Sequence, residues 1–273
     1  MKEEAKMLSV CLITYNHAAY IREAIEGVLM QKFSFPWELI IADDCSKDDT
    51  RKIILEYKEK HPDFIKLIFQ EKNVGPMQNW IDLITAPNAK YIAYFEGDDF
   101  WTDPYKLQKQ VDFLESNSGF SMSFHKVDVR NQIAGLVYSY PKPSGSILQF
   151  KDILFQHYIP SCSLVFVKAH LPIPFPQWFV ECKMGDIPME LLLADKGKVK
   201  YFEESMGVYR KHGGGITLNK DQIKAGRDGY LNVYQQLNKH FKYKYWHLFS
   251  VMIAKVRLGY IKDWLGLNKV LKK

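Results

Sequence analysis

The sequence is short of the features that would take it out of the ordinary globular class. No run approaches the roughly 18 apolar residues that span a bilayer, so no transmembrane helix is expected. The start, MKEEAKM, mixes acids and bases and passes straight into LSVCLIT. A secretory leader would show a basic start and a longer apolar stretch, so the expectation is a cytoplasmic chain. Cysteine is scarce: Cys11, Cys45, Cys162 and Cys182 are all there are, and no two form a C-x-x-C pair. A zinc site is therefore not suggested, and reduced structural thiols are the plain reading. Internal repeats and low-complexity segments are lacking too. With 47% hydrophobic and 25% charged residues the chain reads as folded, not disordered. Its 273 residues suffice for one large α/β domain, with or without a small appendage.

Charge is uneven. The net value is +6, but residues 216–273 carry twelve Lys and Arg against three acids, about +9, and leave the remainder near −3. A tail so basic points to an acidic surface or membrane headgroups for that segment alone. Within it Trp246, Phe249, Met252, Ile253, Val256, Tyr260, Ile261, Trp264 and Leu265 recur at near-helical spacing beside Lys255, Arg257, Lys262, Lys269, Lys272 and Lys273. Two readings stay open: a helix lying in an anionic membrane interface, or one packed on the domain with its bases in solvent. The bases follow no nucleic-acid-binding motif, so no nucleic-acid partner is expected.

Four apolar runs, 8–14, 37–43, 65–70 and 90–96, read as strands. Between them come helical patterns: Ile21, Ala24, Ile25, Val28 and Leu29; then a helix opening near Ser46, Asp48 and Asp49; then one after Pro76. Near-continuous apolar strands alternating with helices predict a doubly wound, mostly parallel sheet. Farther on, 120–129, 133–140 and 160–168 read as strands, 141–146 as a loop, 171–179 as irregular, and 185–198, 219–240 and 245–265 as helices.

In such sheets ligands bind beyond the carboxyl ends of the strands. Those ends carry Thr14-Tyr15-Asn16, Asp43-Asp44, Asn73-Val74-Gly75 and Glu96-Gly97-Asp98-Asp99. Any one could be a turn or a cap. Four in the same topological place argue for a site. Adjacent carboxylates repel unless a cation or solvent screens them, and hard cations take oxygen ligands and bridge to phosphates. Phe95, Phe100 and Trp101 around the acids argue against a merely solvated turn.

As a set, SVCLITYNHAAYIREAIEGVLMQ, ELIIADDCSKDDT, EKNVGP, YIAYFEGDDFWTDPYKLQKQVDFLE, GDIPMELLLADKGK and YRKHGGG resemble the family 2 glycosyltransferases of GT-A fold over roughly residues 8–215. The resemblance implies a Rossmann-like GT-A domain over 1–215 and a basic amphipathic helical extension over 216–273. It implies metal-dependent, inverting transfer from a nucleotide sugar, taken as a UDP-sugar, to a hydroxyl of a glycan or lipid-linked acceptor in surface polysaccharide synthesis. Thr14, Tyr15 and Asn16 would line the nucleotide pocket. Asp44 would contact the base, with Asp43 in support and Asn73 and Gly75 nearby. Asp98 and Asp99 would stand for the D-x-D motif, Asp99 being preferred as direct ligand of Mn²⁺ or Mg²⁺. His212 would sit near metal and diphosphate, Arg210 would help hold the phosphates, and Asp186 would be the general base. Asp186 could equally serve as an N-cap, and the two roles are compatible. Gly213-Gly214-Gly215 suits a loop closing on a ligand.

The sequence departs from the family where Glu96 replaces the first acid of the motif, leaving its part in metal binding open, and where Cys45 and Asp49 stand at common glycine positions. The alternative is a non-catalytic nucleotide-binding or signalling module. A receiver domain would show a lone Asp after its third strand, where this chain has Gln70-Glu71-Lys72. Intact Asp44, Asp98, Asp99 and Asp186 speak against a member that only binds.

Overall fold

The computed structural model describes residues 6–156, 159–182, 184–214 and 221–264. β1 (Lys6–Thr14), β2 (Trp37–Asp43), β3 (Ile65–Phe69) and β4 (Ala89–Glu96) alternate with α1 (Ile21–Leu29), α2 (Thr50–Lys60) and α3 (Pro76–Thr85). The four strands are parallel and lie in the order β3-β2-β1-β4. After β5 (Phe100–Trp101) and α4 (Lys106–Ser116) come β6 (Phe120–Asn131), β7 (Leu136–Tyr140), β8 (Ile147–Leu148), α5 (Phe150–Phe155) and β9 (Val165–Val167). The chain ends through α6 (Gln177–Val180), α7 (Asp186–Lys196), β10 (Lys198–Lys211), α8 (Asp221–His240) and α9 (Trp246–Trp264). β9 runs antiparallel between β4 and β6, and β10 extends the sheet parallel to β6.

Successive side chains of a strand point to opposite faces, and both faces are apolar here. Leu8, Val10 and Leu12 join Leu39, Ile41, Tyr91 and Ala93 under α1, α2 and α4. Cys11 and Ile13 join Ile40, Ala42, Ile92 and Tyr94 under α3, α7 and the last two helices. The first four strands, α1 and α3 stand within a residue or two of the sequence expectations. Elsewhere the structure differs. The helix foreseen at Ser46 starts at Thr50, because the Ser46 side chain turns back to Asp43. Within 160–168, residues Ser161–Ser163 wind into a 3-10 turn, closed by the Ser163 N–H on the Pro160 carbonyl at 2.9 Å, and only Val165–Val167 is strand. The strand foreseen at 133–140 begins at Leu136. β10, fourteen residues long, was not foreseen at all.

The basic extension shares the core. Val233, Tyr234, Leu237, Phe241, Phe249 and Met252 are buried in the same cluster as the inner residues of β1 and β4. α8 and the inner face of α9 join it through α5 and α6, with Phe150 against Phe241 and Phe249 and Trp178 against His240. The boundary at 215/216, Gly215, and Leu265, Lys269, Lys272 and Lys273 lie outside the described residues.

Gly197 joins α7 to β10 against the start of β6. A Cβ there would stand 2.8 Å from the Ser121 nitrogen and 3.0 Å from the Gly119 carbonyl, both backbone atoms that cannot swing aside. Gly197→Ala should therefore cost about 1–3 kcal/mol through overpacking, read as a lower urea midpoint. An unchanged midpoint would show that the β6–β10 junction has slack.

Candidate active site at the strand ends

Strand register brings the polar ends level. Thr14 pairs with Asp43 and Ile13 with Glu96. The ladder then continues: the Asp44 N–H donates to the Thr14 carbonyl at 3.1 Å, and the Gly97 N–H to the Ile13 carbonyl at 2.8 Å. Gly97 is needed at that crossing, since a Cβ would meet the Thr14 hydroxyl oxygen at 2.8 Å and the Ile21 side chain at 2.9 Å.

On one side these ends organise two loops. Asp43, fully buried, accepts from the Ser46 N–H at 3.0 Å, the Ser46 hydroxyl and the Arg51 guanidinium. Asn16 adopts a left-handed φ of 56°, takes the Ser46 hydroxyl oxygen on its N–H at 2.8 Å, and accepts the Lys47 N–H on its side chain at 2.8 Å. Asp44 receives the Val74 N–H at 2.6 Å on one carboxylate oxygen and the Gly75 N–H at 3.0 Å on the other. Asn73 donates to the Asp44 carbonyl at 3.2 Å. Asp44, Asn73 and Gly75 thus form one unit that fixes the turn before α3. Burial pushes the Asp44 carboxyl up, and the two N–H donors oppose the shift. Thr14 is buried and Tyr15 stands exposed at the rim.

On the other side lie the acids of Glu96–Asp99. His212 Nδ1 accepts the Gly214 N–H at 3.3 Å, and its Nε2 meets an Asp98 carboxylate oxygen at 3.0 Å. His17 Nε2 approaches the same oxygen at 3.9 Å. Asp99 is enclosed, and one of its oxygens accepts the Arg210 N–H at 2.8 Å. Burial, then the Asp98 and Glu96 charges, drive its carboxyl well above the usual range. Asp98 is the carboxylate that meets His212, while Asp99, preferred from the sequence as direct metal ligand, accepts from the Arg210 backbone. The Arg210 guanidinium is engaged by the Asp98 carbonyl at 2.7 Å, by Glu23, and by the Phe100 ring 4.4 Å away. Its evident work is to hold the acidic turn.

Glu96 accepts from the Tyr94 hydroxyl at 3.1 Å and from the Ser161 hydroxyl. Asp186 is exposed in the first turn of α7. The N-cap position belongs to Gly185 and Asp186 makes no side-chain cap bond, so the capping role weighed for it does not apply. Burial is the main cause that raises the Glu96 and Tyr94 pKa values, and the Asp186 charge adds to it, so that charge reaches the site.

Several participants escaped the sequence reading. His17 follows Asn16 directly and could have been taken with the first strand end. Tyr94 lies in the apolar fourth strand, and Ser161 in a segment read as strand. Arg51 and Glu23 are surface-type residues of amphipathic helices, and nothing in their spacing marks them.

A doubly wound sheet whose strand ends gather acids, a histidine and tightly hydrogen-bonded turns places the candidate site where α/β proteins of this class carry theirs. The family model of Glycosyl transferase family 2 matches residues 9–171, and the chain belongs to that family. It is 34% identical over 219 residues to the Mycobacterium tuberculosis (strain H37Rv) protein Rv1520, covering 77% of this chain and 60% of that one. The chain thus spans about three fifths of the mycobacterial relative. It is 27% identical over 220 residues to WfaP of Escherichia coli, a UDP-Glc:alpha-D-GlcNAc-diphosphoundecaprenol beta-1,3-glucosyltransferase, covering 79% of this chain and 81% of that one. Among solved structures, S. aureus TarS 1–349 in complex with UDP-GlcNAc superposes with a TM-score of 0.63 at 18% identity, covering 90% of this chain and 75% of that one. The fold is that of a GT-A glycosyltransferase.

Burial, followed by the Asp98 charge, raises the Glu96 pKa from 4.5 to about 7. The folded chain then holds a proton that the unfolded chain releases, so this group's contribution to stability falls as pH rises between 4.5 and about 7. In metal-free buffer, the melting temperature of Glu96→Gln relative to wild type should rise from about pH 5 to about pH 8. A difference that stays flat across the range would show that Glu96 titrates normally.

Proposed function

We propose that the chain is an inverting glycosyltransferase that moves a sugar from a UDP-sugar to a hydroxyl of a glycan or lipid-linked acceptor, with a divalent metal at the donor diphosphate. The carrying observation is the Asp98–His212 contact at the strand-end edge, with the exposed carboxylate of Asp186 within electrostatic reach of the same acids. Among the described residues no group of three or more His, Cys, Asp or Glu side chains forms a metal cage. Mg²⁺ and Mn²⁺ do not need one. They favour oxygen donors, and Mg²⁺ is commonly held by one or two carboxylates together with substrate phosphates and water. A carboxylate facing an imidazole suits that use, so Asp98 and His212 would hold the metal. Enclosed Asp99, pinned by Arg210, would fix the loop behind them. The metal would neutralise charge on the departing diphosphate.

The chain's own residues would do the rest. Asp44 with the Asn73–Gly75 turn, and Asn16 with the Ser46–Lys47 turn, would form the walls for base and ribose. Exposed Tyr15 would be free to cover the base. Asp186 would take the acceptor hydroxyl proton as the sugar is transferred. Support for UDP comes from the donors named for WfaP and the TarS complex. The lipid-diphosphate acceptor of WfaP supports a similar carrier here, and with it peripheral attachment at the cytoplasmic face of a membrane.

Turnover of Asp186→Asn with a competent acceptor tests the assignment. Asp186 makes no cap bond, so the substitution should leave melting within about two degrees of wild type, and UDP binding should persist. Transfer should fall by about 10²–10⁴-fold, the usual cost of losing a general base. Full activity would place the base elsewhere.

A further inference from the structure

The active site occupies the edge where β1, β2 and β4 end. At the opposite edge, where β6 and β10 begin, lies a cleft of about 640 Å³. Its rim carries Lys151, Lys196, Lys198 and Lys244, from α5, the α7–β10 junction and the α8–α9 turn, and all four are exposed. One acid, Asp195, lines the cleft, bound to the Lys244 amine at 2.8 Å and the Lys196 amine at 3.4 Å. Positive charge is therefore in excess. Phe150 and Tyr245, which also line the cleft, stack at 3.8 Å between ring centres.

α9 starts at this cleft and doubles back along α8, Phe249 lying 6.1 Å from Tyr234. It heads toward the catalytic edge, where Tyr230, midway along α8, feels the Asp186 charge and a Cβ at neighbouring Gly229 would stand 3.1 Å from the Met184 side chain. Its inner side, Phe249 and Met252, is buried. Its outer side is not the charged face that a solvent-exposed helix usually presents. Val251, Ala254 and Leu258 are exposed there, Lys255 and Arg257 flank them, and Trp246 stands 61% exposed at the head of the helix. From Trp246 to Gly259 there is no acidic residue. An exposed apolar strip with basic flanks and a tryptophan at its end matches the chemistry of a membrane interface.

We propose that this face is an anionic-membrane docking surface. The lysine cleft takes phospholipid headgroup phosphates, and the outer side of α9 sinks its apolar residues among the acyl-chain ends. Because α9 runs from the cleft toward the catalytic edge, such a membrane plane passes close to the active site and brings a lipid-carried acceptor to it. That last consequence rests on the acceptor reading above; the docking itself does not. A soluble anion would account for the lysines but leave the apolar strip of α9 unexplained.

The test is co-sedimentation of the full chain with phosphatidylcholine vesicles, with and without about a third phosphatidylglycerol, at low salt and without donor or acceptor. Wild type should bind the anionic vesicles, ignore the neutral ones and be released by salt. Replacing Lys151, Lys196 and Lys198 together by Ala should reduce partitioning about 100-fold, at roughly fivefold per charge. Val251→Ser with Leu258→Ser should also weaken it, and both variants should keep wild-type melting and UDP binding. Retained UDP binding with lost vesicle binding separates this surface from the catalytic reading. Equal vesicle binding by the triple variant, or no binding by wild type, would overturn the proposal. So would inorganic phosphate raising the melting temperature through the same lysines while vesicles are ignored.

Discussion

Arg210 holds the two halves of the molecule in working relation. Its backbone N–H fixes buried Asp99, while its guanidinium takes the Asp98 carbonyl, Glu23 on α1 and the face of Phe100. Three adjacent segments meet there: the acidic turn after β4, the first helix, and the far strand β10. A turn with acids at 96, 98 and 99 would otherwise spread by mutual repulsion. Anchoring it from a neighbouring strand leaves one carboxylate, Asp98, turned toward His212, two residues beyond Arg210 and just past the end of β10. An Asp99 sealed in the interior is the cost of that arrangement, and its raised pKa records it.

The same economy organises the nucleotide side. Asp43 is consumed by Ser46 and Arg51, and Asp44 by two backbone N–H groups of the next loop. Neighbouring acids in sequence therefore have separate duties: one closes its own loop, and the other fixes the loop after β3. Each carboxylate oxygen can accept more than one hydrogen bond, and the base contact proposed for Asp44 would draw on that remaining capacity.

The first hundred residues were legible because buried parallel strands are written as unbroken apolar runs, with Thr14, Asp43 and Glu96 at their ends. The resemblance added what pattern alone could not, including the weight given to Asp186 and His212. Cys45 shows one such departure resolved physically. It occupies a common glycine position and has φ 62°, a left-handed conformation in which glycine is unstrained. β10 was illegible for the converse reason. KVKYFEESMGVYRK carries acids in its middle, and its pairing with β6 shifts register between Phe202 and Ser205 and again before Val208. Irregular pairing breaks the two-residue alternation that marks a strand. The Ser161 turn was hidden likewise, because its hydroxyl serves Glu96, a partner 65 positions away.

The central claim is that the strand-end acids and His212 form a metal-assisted diphosphate site whose ligand is Asp98. Calorimetric titration of UDP, with Mn²⁺ and then with chelator, tests it most directly on wild type and Asp98→Asn. The account predicts that Mn²⁺ tightens UDP binding to wild type, and that Asp98→Asn keeps the metal-free affinity but loses the metal effect. Equal UDP affinity with and without Mn²⁺ in wild type, or an undiminished metal effect in Asp98→Asn, would contradict it.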